Sequence, residues 1–183
     1  MGGNVTDWDS FEAIYRASYL PVLRFVRRRL PPQLAEDVVA ETFVIAWQKW
    51  GDQHGEALPW LYGIARLVAA NARRSQERVG ELEGRLQDQR PPDVIPAAET
   101  QALERAKAVR ALADLCDRDR EVLMLVSWDG LDPQAAARVM GCSRGAFLVR
   151  LHRARRKLER AIAEDESGVV EGADAVLQEG SVR

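Results

Sequence analysis

The sequence predicts an all-α fold: two small helical domains joined by a flexible linker, the second containing a helix-turn-helix. Three observations predict it. Apolar residues recur at helical spacing through most of the 183 residues, and no stretch alternates strictly enough to form a convincing strand. From Gly80 to about Ala98 the periodicity fails, Pro91, Pro92 and Pro96 enter and the charge turns acidic, which is the composition of a linker between packed units. Near the C-terminal end a short helix, a glycine turn and a longer basic helix follow one another.

The elements follow in order. Ser10 can cap a first helix whose apolar positions Phe11, Ile14, Tyr15, Val22, Leu23, Val26 and Leu30 share a face, with Pro31-Pro32 ending it and Pro21 favouring a kink or break inside it. A second helix from about Leu34 to Trp50 turns Val38, Val39, Phe43, Ala46, Trp47 and Trp50 inward and stops at Gly51. After a polar loop over 51–57, a third begins near Pro59 and runs through Trp60, Ile64, Leu67 and Val68 to Arg73-Arg74. Beyond the linker a helix spans about Glu99 to Leu115, and another runs from an Asp117 cap to Trp128, before the Asp129-Gly130 turn. The expected domains are therefore 1–79 and 101–163, with a linker over 80–100 and an acidic tail over 164–183 that is without fixed structure or weakly held.

Charge says little in total and much in its distribution. The net formal charge is −2. Divided along the chain it is +1 over 1–79, −3 over 80–100, +5 over 101–163 and −5 over 164–183. Within 138–160 Arg138, Arg144, Arg150, Arg153, Arg155, Arg156, Lys157 and Arg160 stand against Glu159 alone. Such a local excess is the footprint expected of phosphate binding. Cys116 and Cys142 are in no CxxC or Cys/His arrangement, so they are expected to be free thiols, and no metal or cofactor is expected. No apolar run reaches the length of about 18 residues that spans a bilayer, and the start of the chain lacks signal-peptide regions; a cytoplasmic protein with no membrane insertion is expected.

The helix-turn-helix carries the sharpest signal. Asp132 caps and Pro133 opens a short helix with Ala136, Val139 and Met140 on its apolar side, Gly141-Cys142 make the turn, and Ser143 caps the longer helix. Phe147, Leu151, Ala154 and Leu158 form one seam, which leaves Val149, His152, Arg153 and Arg156 on the opposite side, placed to enter a major groove. Arginine can bond guanine bidentately there, while Arg144 and the Ser143 end of the helix suit phosphates. A solvated basic helix is the ordinary alternative, and the coincidence of cap, turn and opposed seams argues for DNA.

Gly130 to Arg155, ending Arg150-Leu151-His152-Arg153-Ala154-Arg155, resembles region 4 of the extracytoplasmic-function (ECF) subgroup of bacterial RNA polymerase sigma-70 factors, and Leu115 to Leu123 resembles the first part of that region. Ala35 to Trp47 is similar to region 2.2 of the same family, and Leu58 to Arg66 with Asn71, Arg73 and Arg74 is similar to regions 2.3 and 2.4. Two matches in the right order are more specific than one. The resemblance implies an alternative sigma factor that binds core RNA polymerase and promoter DNA, with no catalytic residues, and allows an anti-sigma factor as a further partner. It implies polymerase contacts at Asp37, Glu41 and Gln48, and minus-ten contacts at Asp52, Gln53, His54, Trp60, Arg66, Asn71, Arg73 and Arg74. For the minus-thirty-five element it implies Ser143, Arg144, Leu148, Val149, Arg150, His152, Arg153 and Arg156. The chain departs from the family pattern at Ala40, commonly Gln; at Leu67, often Asn or basic; and at Ala146, Leu148 and Val149, where Thr, a basic residue and a small hydroxyl are usual. Core aromatics are the ordinary alternative for Trp60 and Tyr62. The alternative function is a stand-alone helix-turn-helix regulator; the region-2-like half speaks against it.

Overall fold

The structure, a computed structural model, describes residues 5–53, 55–82 and 108–179, with side chains described over 8–53, 55–78 and 108–163; no strand occurs among them. The helices are α1 (Val5–Arg27), α2 (Pro32–Gln48), a 3-10 turn (Trp50–Asp52), α3 (Ala57–Leu82), α4 (108–113), α5 (Asp117–Ser127), α6 (Pro133–Met140) and α7 (Arg144–Glu179). They divide into two compact units: Met1–Pro92 with Leu131–Arg144, and Asp93–Gly130 with Gly145–Arg183.

In the first unit α1, α2 and α3 pack on one another and α6 packs on α3. Phe11, Val22, Phe25 and Val26 of α1, Val38, Val39 and Phe43 of α2, and Leu61, Tyr62 and Ala65 of α3 are buried, at the three- and four-residue steps that put them on inward faces. α1 is continuous through Pro21 rather than broken there. The proline removes one bond to the carbonyl of Ala17, a solvent-exposed residue where water can replace it. Phe25 is enclosed on both faces of its ring. Tyr62 stacks on it at 4.3 Å and 15°, and the Arg29 guanidinium lies 3.5 Å from the ring centroid, necessarily on the other face. Arg29 also donates to the Phe25 carbonyl at 2.9 Å, placing a cation at the end of α1 where free carbonyls concentrate.

Prolines open α2, with Pro31 at the cap and Pro32 in the first turn, where a missing N–H costs nothing. Thr42, buried in its middle, donates its hydroxyl to the Val38 carbonyl at 2.6 Å, so its own polar atom is paired. Phe11 meets Trp47 at 5.0 Å and Trp50 at 5.3 Å, edge to face, and Trp50 meets Trp60 at 6.3 Å, which ties the starts of α1 and α3 to the end of α2.

α6 starts as its sequence dictates. The Asp132 carboxylate accepts from the N–H groups of Gln134 at 2.7 Å and Ala135 at 2.9 Å. Those backbone bonds, Ala135 first, hold its carboxyl below the usual range. Gly141 ends the helix at φ 62°, a left-handed cap that favours glycine.

In the second unit Val122, Leu123, Met124 and Leu125 of α5 and Phe147, Leu151 and Ala154 of α7 are buried. α5 begins at Asp117 but is capped by Cys116 without a side-chain bond, so Asp117 is the first helical residue rather than the cap. Arg120 ties α5 to the end of α4: its guanidinium donates to the carbonyls of Leu112, Ala113 and Leu115 at 2.8, 2.5 and 2.8 Å. Both cysteines are free thiols. α3 continues past the expected end of its domain to Leu82, and 83–100 of the expected linker lies outside the described residues. α7 runs to Glu179, where the sequence led us to expect a tail without structure beyond Ala163. An established helix extends without a new nucleation cost, which here offsets the unfavourable Gly168 and Gly172.

Candidate functional site

Three exposed faces hold the residues singled out by sequence. On α2, Asp37, Glu41 and Gln48 are all exposed. Steps of four and seven place them on one stripe, opposite the buried Val38, Val39, Phe43 and Ala46. Val44 falls on the same stripe and is 56% exposed, an apolar residue where solvation alone would favour a polar one. The sequence reading missed it; its signal was a valine three residues after Glu41 and off the core steps. The stripe thus has an apolar centre between carboxylates and an amide, which is the anatomy of a protein contact.

The second face belongs to α3 and the segment before it. Asp52 is exposed in the 3-10 turn, and Gln53 donates its side-chain amide to the Gly55 carbonyl at 2.7 Å. His54 lies outside the described residues. Trp60 is half-buried against Trp50, and Tyr62 is a core aromatic. Leu67, 61% exposed, shares a face with the exposed Asn71 and Arg74 at steps of four and three. Arg73 is half-buried and pairs with Glu77 at 3.5 Å. Arg66 is half-buried as well; its Nε donates to the Val139 carbonyl on α6 at 3.1 Å. So Asp52, Asn71 and Arg74 stand in solvent, whereas Gln53, Arg66 and Arg73 have partners within the chain.

The third face is on α7. Val149, 51% exposed, and the exposed His152, Arg153 and Arg156 lie opposite the buried Phe147, Leu151 and Ala154, and Ser143 and Arg144 are exposed at the helix start. Leu148 and Arg150 are half-buried on the flanks of the seam. Lys157 turns to the protein instead and pairs with Asp119 of α5. That hydrogen bond is the largest cause holding the Asp119 carboxyl below its ordinary value, and Asp119 raises Lys157 in return. Arginines with a valine between them on an exposed helical side can combine guanine and phosphate bonding with contact to thymine methyls. Among the described residues there is no His/Cys/Asp/Glu group able to hold a metal ion, and no helix is long and apolar enough to cross a membrane.

Comparison with known proteins matches residues 14–79 to the family Sigma-70 region 2 and residues 105–158 to the family Sigma-70, region 4. The chain is 32% identical over 133 residues to the ECF RNA polymerase sigma factor SigL of Mycobacterium tuberculosis, covering 71% of this chain and 75% of that one. To the RNA polymerase sigma-E factor of Streptomyces coelicolor it is 29% identical, covering 85% of this chain and 88% of the relative. Among solved structures it is similar to CnrH in complex with the cytosolic domain of CnrY, with a TM-score of 0.62, 25% identity, and coverage of 89% and 92%. In fold it is also similar to the sigma factor RpoE of Bartonella quintana, solved with the anti-sigma factor NepR, at a TM-score of 0.63 and 23% identity over 84% of this chain and 97% of that one.

Proposed function

Because this chain belongs to the extracytoplasmic-function subgroup of the bacterial RNA polymerase sigma-70 family, we propose that its three exposed faces divide the work of promoter-specific initiation. It is an alternative sigma factor, binding core RNA polymerase and promoter DNA. The α2 stripe of Asp37, Glu41, Val44 and Gln48 docks on polymerase, with carboxylates steering toward a basic partner and Val44 giving up its water at the centre. Asp52, Gln53, His54, Trp60, Arg66, Asn71, Arg73 and Arg74 hold the melted minus-ten strand. Asp52 and Gln53 can hydrogen-bond the edge of an extruded base, Trp60 can stack, and the arginines follow the backbone. Leu67, on the Asn71 and Arg74 face, adds apolar contact. Ser143 and Arg144 hold phosphates upstream, while Val149, His152, Arg153 and Arg156 meet base edges in the minus-thirty-five duplex, flanked by Leu148 and Arg150.

One observation carries this reading: the segment matching region 2 bears an exposed acidic and apolar stripe, and the segment matching region 4 bears an exposed basic side, each opposite its own buried seam. Melting follows from capture of unstacked bases, offsetting an unstacking cost of a few kcal/mol, with nucleotidyl transfer left to the polymerase and the chain itself not an enzyme. It works in the cytoplasm, where the polymerase is. An anti-sigma factor is a further expected partner; the similar CnrH was solved in complex with the cytosolic domain of CnrY. Reconstituted transcription tests the proposal. Added to core polymerase, the chain should yield transcripts from a defined promoter set, and Asp37→Lys with Glu41→Lys should weaken polymerase binding while leaving the fold intact. Tight operator binding without polymerase and no transcripts would favour the stand-alone regulator.

A further inference from the structure

We infer that Leu67 sets base preference on the minus-ten face by packing on the methyl group of one thymine, which rests on the sigma-factor reading of α3 and names a specificity residue within it. Trp60, Leu67, Asn71, Arg74 and Arg78 follow one another at steps of seven, four, three and four, so they share one line along the helix. The opposite side holds the buried Leu61, Ala65, Val68 and Ala69. Trp60 is half-buried on that line, and the other four are exposed. Among the described residues Leu67, at 61%, is the most exposed of the large apolar side chains. One exposed leucine is ordinary in itself; its neighbours give this one a ligand.

Charge names the class of that ligand. From Ala57 to Arg78, α3 carries Arg66, Arg73, Arg74 and Arg78 against Glu77 alone, the reverse of the carboxylate stripe on α2. A helix of that sign draws a polyanion, where α2 suits a basic partner. Spacing then orders the contacts. At a rise of about 1.5 Å per residue, Leu67 stands roughly 10 Å along α3 from Trp60, and Arg74 roughly 10 Å beyond Leu67. Each interval spans about three nucleotides of a stacked strand at roughly 3.4 Å per step. Leu67 therefore falls between Trp60, which suits an unstacked base, and the arginines, which suit phosphates. A leucine has no donor, no acceptor and no flat face, so neither hydrogen bonding nor stacking lets it choose among bases. The apolar group that a base edge offers is the thymine methyl, and contact with it is the one choice left to Leu67.

Replacing thymine by uracil removes that methyl and nothing else. Holoenzyme made from core polymerase and the full chain is bound to promoter fragments in which each minus-ten thymine, on either strand, is replaced singly by uracil. One position should lose about fourfold in affinity, the worth of one buried methyl-sized group. Holoenzyme with Leu67→Ser should bind thymine and uracil alike at that position, and Leu67→Met, which keeps an apolar end, should restore the difference. The Leu67→Ser chain should melt with the parent, because the side chain is exposed. Equal binding of thymine and uracil by the parent at every position, a preference that survives Leu67→Ser, or weakened core-polymerase binding by Leu67→Ser overturns the role of Leu67. Transcription by the parent holoenzyme is read on the unmodified fragment. Its failure would sink the sigma-factor reading, whereas transcription without a Leu67-dependent thymine preference would sink the methyl contact alone.

Discussion

Lys157, on the helix that carries the basic face, is ion-paired with Asp119 at the start of α5. The buried seam of Phe147, Leu151 and Ala154 sets the roll of α7, and the pair lies beside it with Arg153 and Arg156 outward. Asp119 is lowered from 3.8, chiefly by the Lys157 hydrogen bond, so its contribution to stability is complete above 3.8 and is lost as pH falls through the folded value. Lys157 is raised from 10.5, so its contribution is complete below 10.5 and is lost as pH rises through the folded value. Asp119→Asn should therefore be less stable than the parent at neutral pH and approach it below pH 3.8. Urea titrations of both proteins across that range check this, and an unchanged difference at low pH would remove the pair as its cause.

Phe25 is fully buried between Tyr62 and Arg29, so its removal opens a hole on both sides. Phe25→Ala should cost roughly 3–5 kcal/mol, the range for deleting a core phenylalanine. Chemical denaturation measures it directly. A loss under about 1 kcal/mol would mean that the ring is not enclosed, given that range.

Arg120 holds three carbonyls at the end of α4 with one planar guanidinium. A lysine has the charge but cannot reach three acceptors in that fork, so Arg120→Lys should lose about 1.5–3 kcal/mol, the worth of charge-assisted bonds left unmade. Thermal melts of Arg120→Lys against Arg120→Met separate charge from geometry: the two should fall together.

At Gly141 the backbone stands at φ 62° with nothing within 4 Å of a Cβ built there. Space is therefore not the constraint, and Gly141→Ala should cost about 1–2 kcal/mol through the left-handed conformation alone. Asn, which tolerates that region, should recover part of the loss. Equal stability of the Ala and Gly chains would show that the turn does not need this backbone.

The fold was legible in the sequence wherever a local rule decided it. The Asp132 cap, the Pro133 start, the Gly141 turn and the Phe147, Leu151, Ala154 seam all stand where propensity and period placed them. Helix ends were less legible, since α1 begins at Val5 before the Ser10 cap, α3 runs on through Gly80, and α7 runs on through Gly168 and Gly172. The exposed sides of α2 and α7 followed from the same periodicity. What could not be read was the third dimension. Nothing local marks Arg66 as a partner of Val139, because that bond joins residues 73 positions apart and depends on packing of α6 against α3.

The valine in the middle of the basic face tests how base choice is made. Val149 has no donor and Arg153 has several, and both lie on the exposed side of α7. If Arg153 bonds a base edge, Arg153→Ala should weaken discrimination at one promoter position by about 1–3 kcal/mol, whereas a phosphate contact would weaken all sequences alike and lower the salt slope by about one. Val149 should act through a thymine methyl, so Val149→Ser should reduce preference for thymine over uracil at one position and leave the salt dependence alone, because no counterion is released by an apolar contact. Binding of holoenzyme to promoter variants, measured across salt concentrations, distinguishes these effects. A uniform loss for Val149→Ser across all positions would mean that this side of α7 does not face bases, and the division between base readers and phosphate holders on the helix would have to be redrawn.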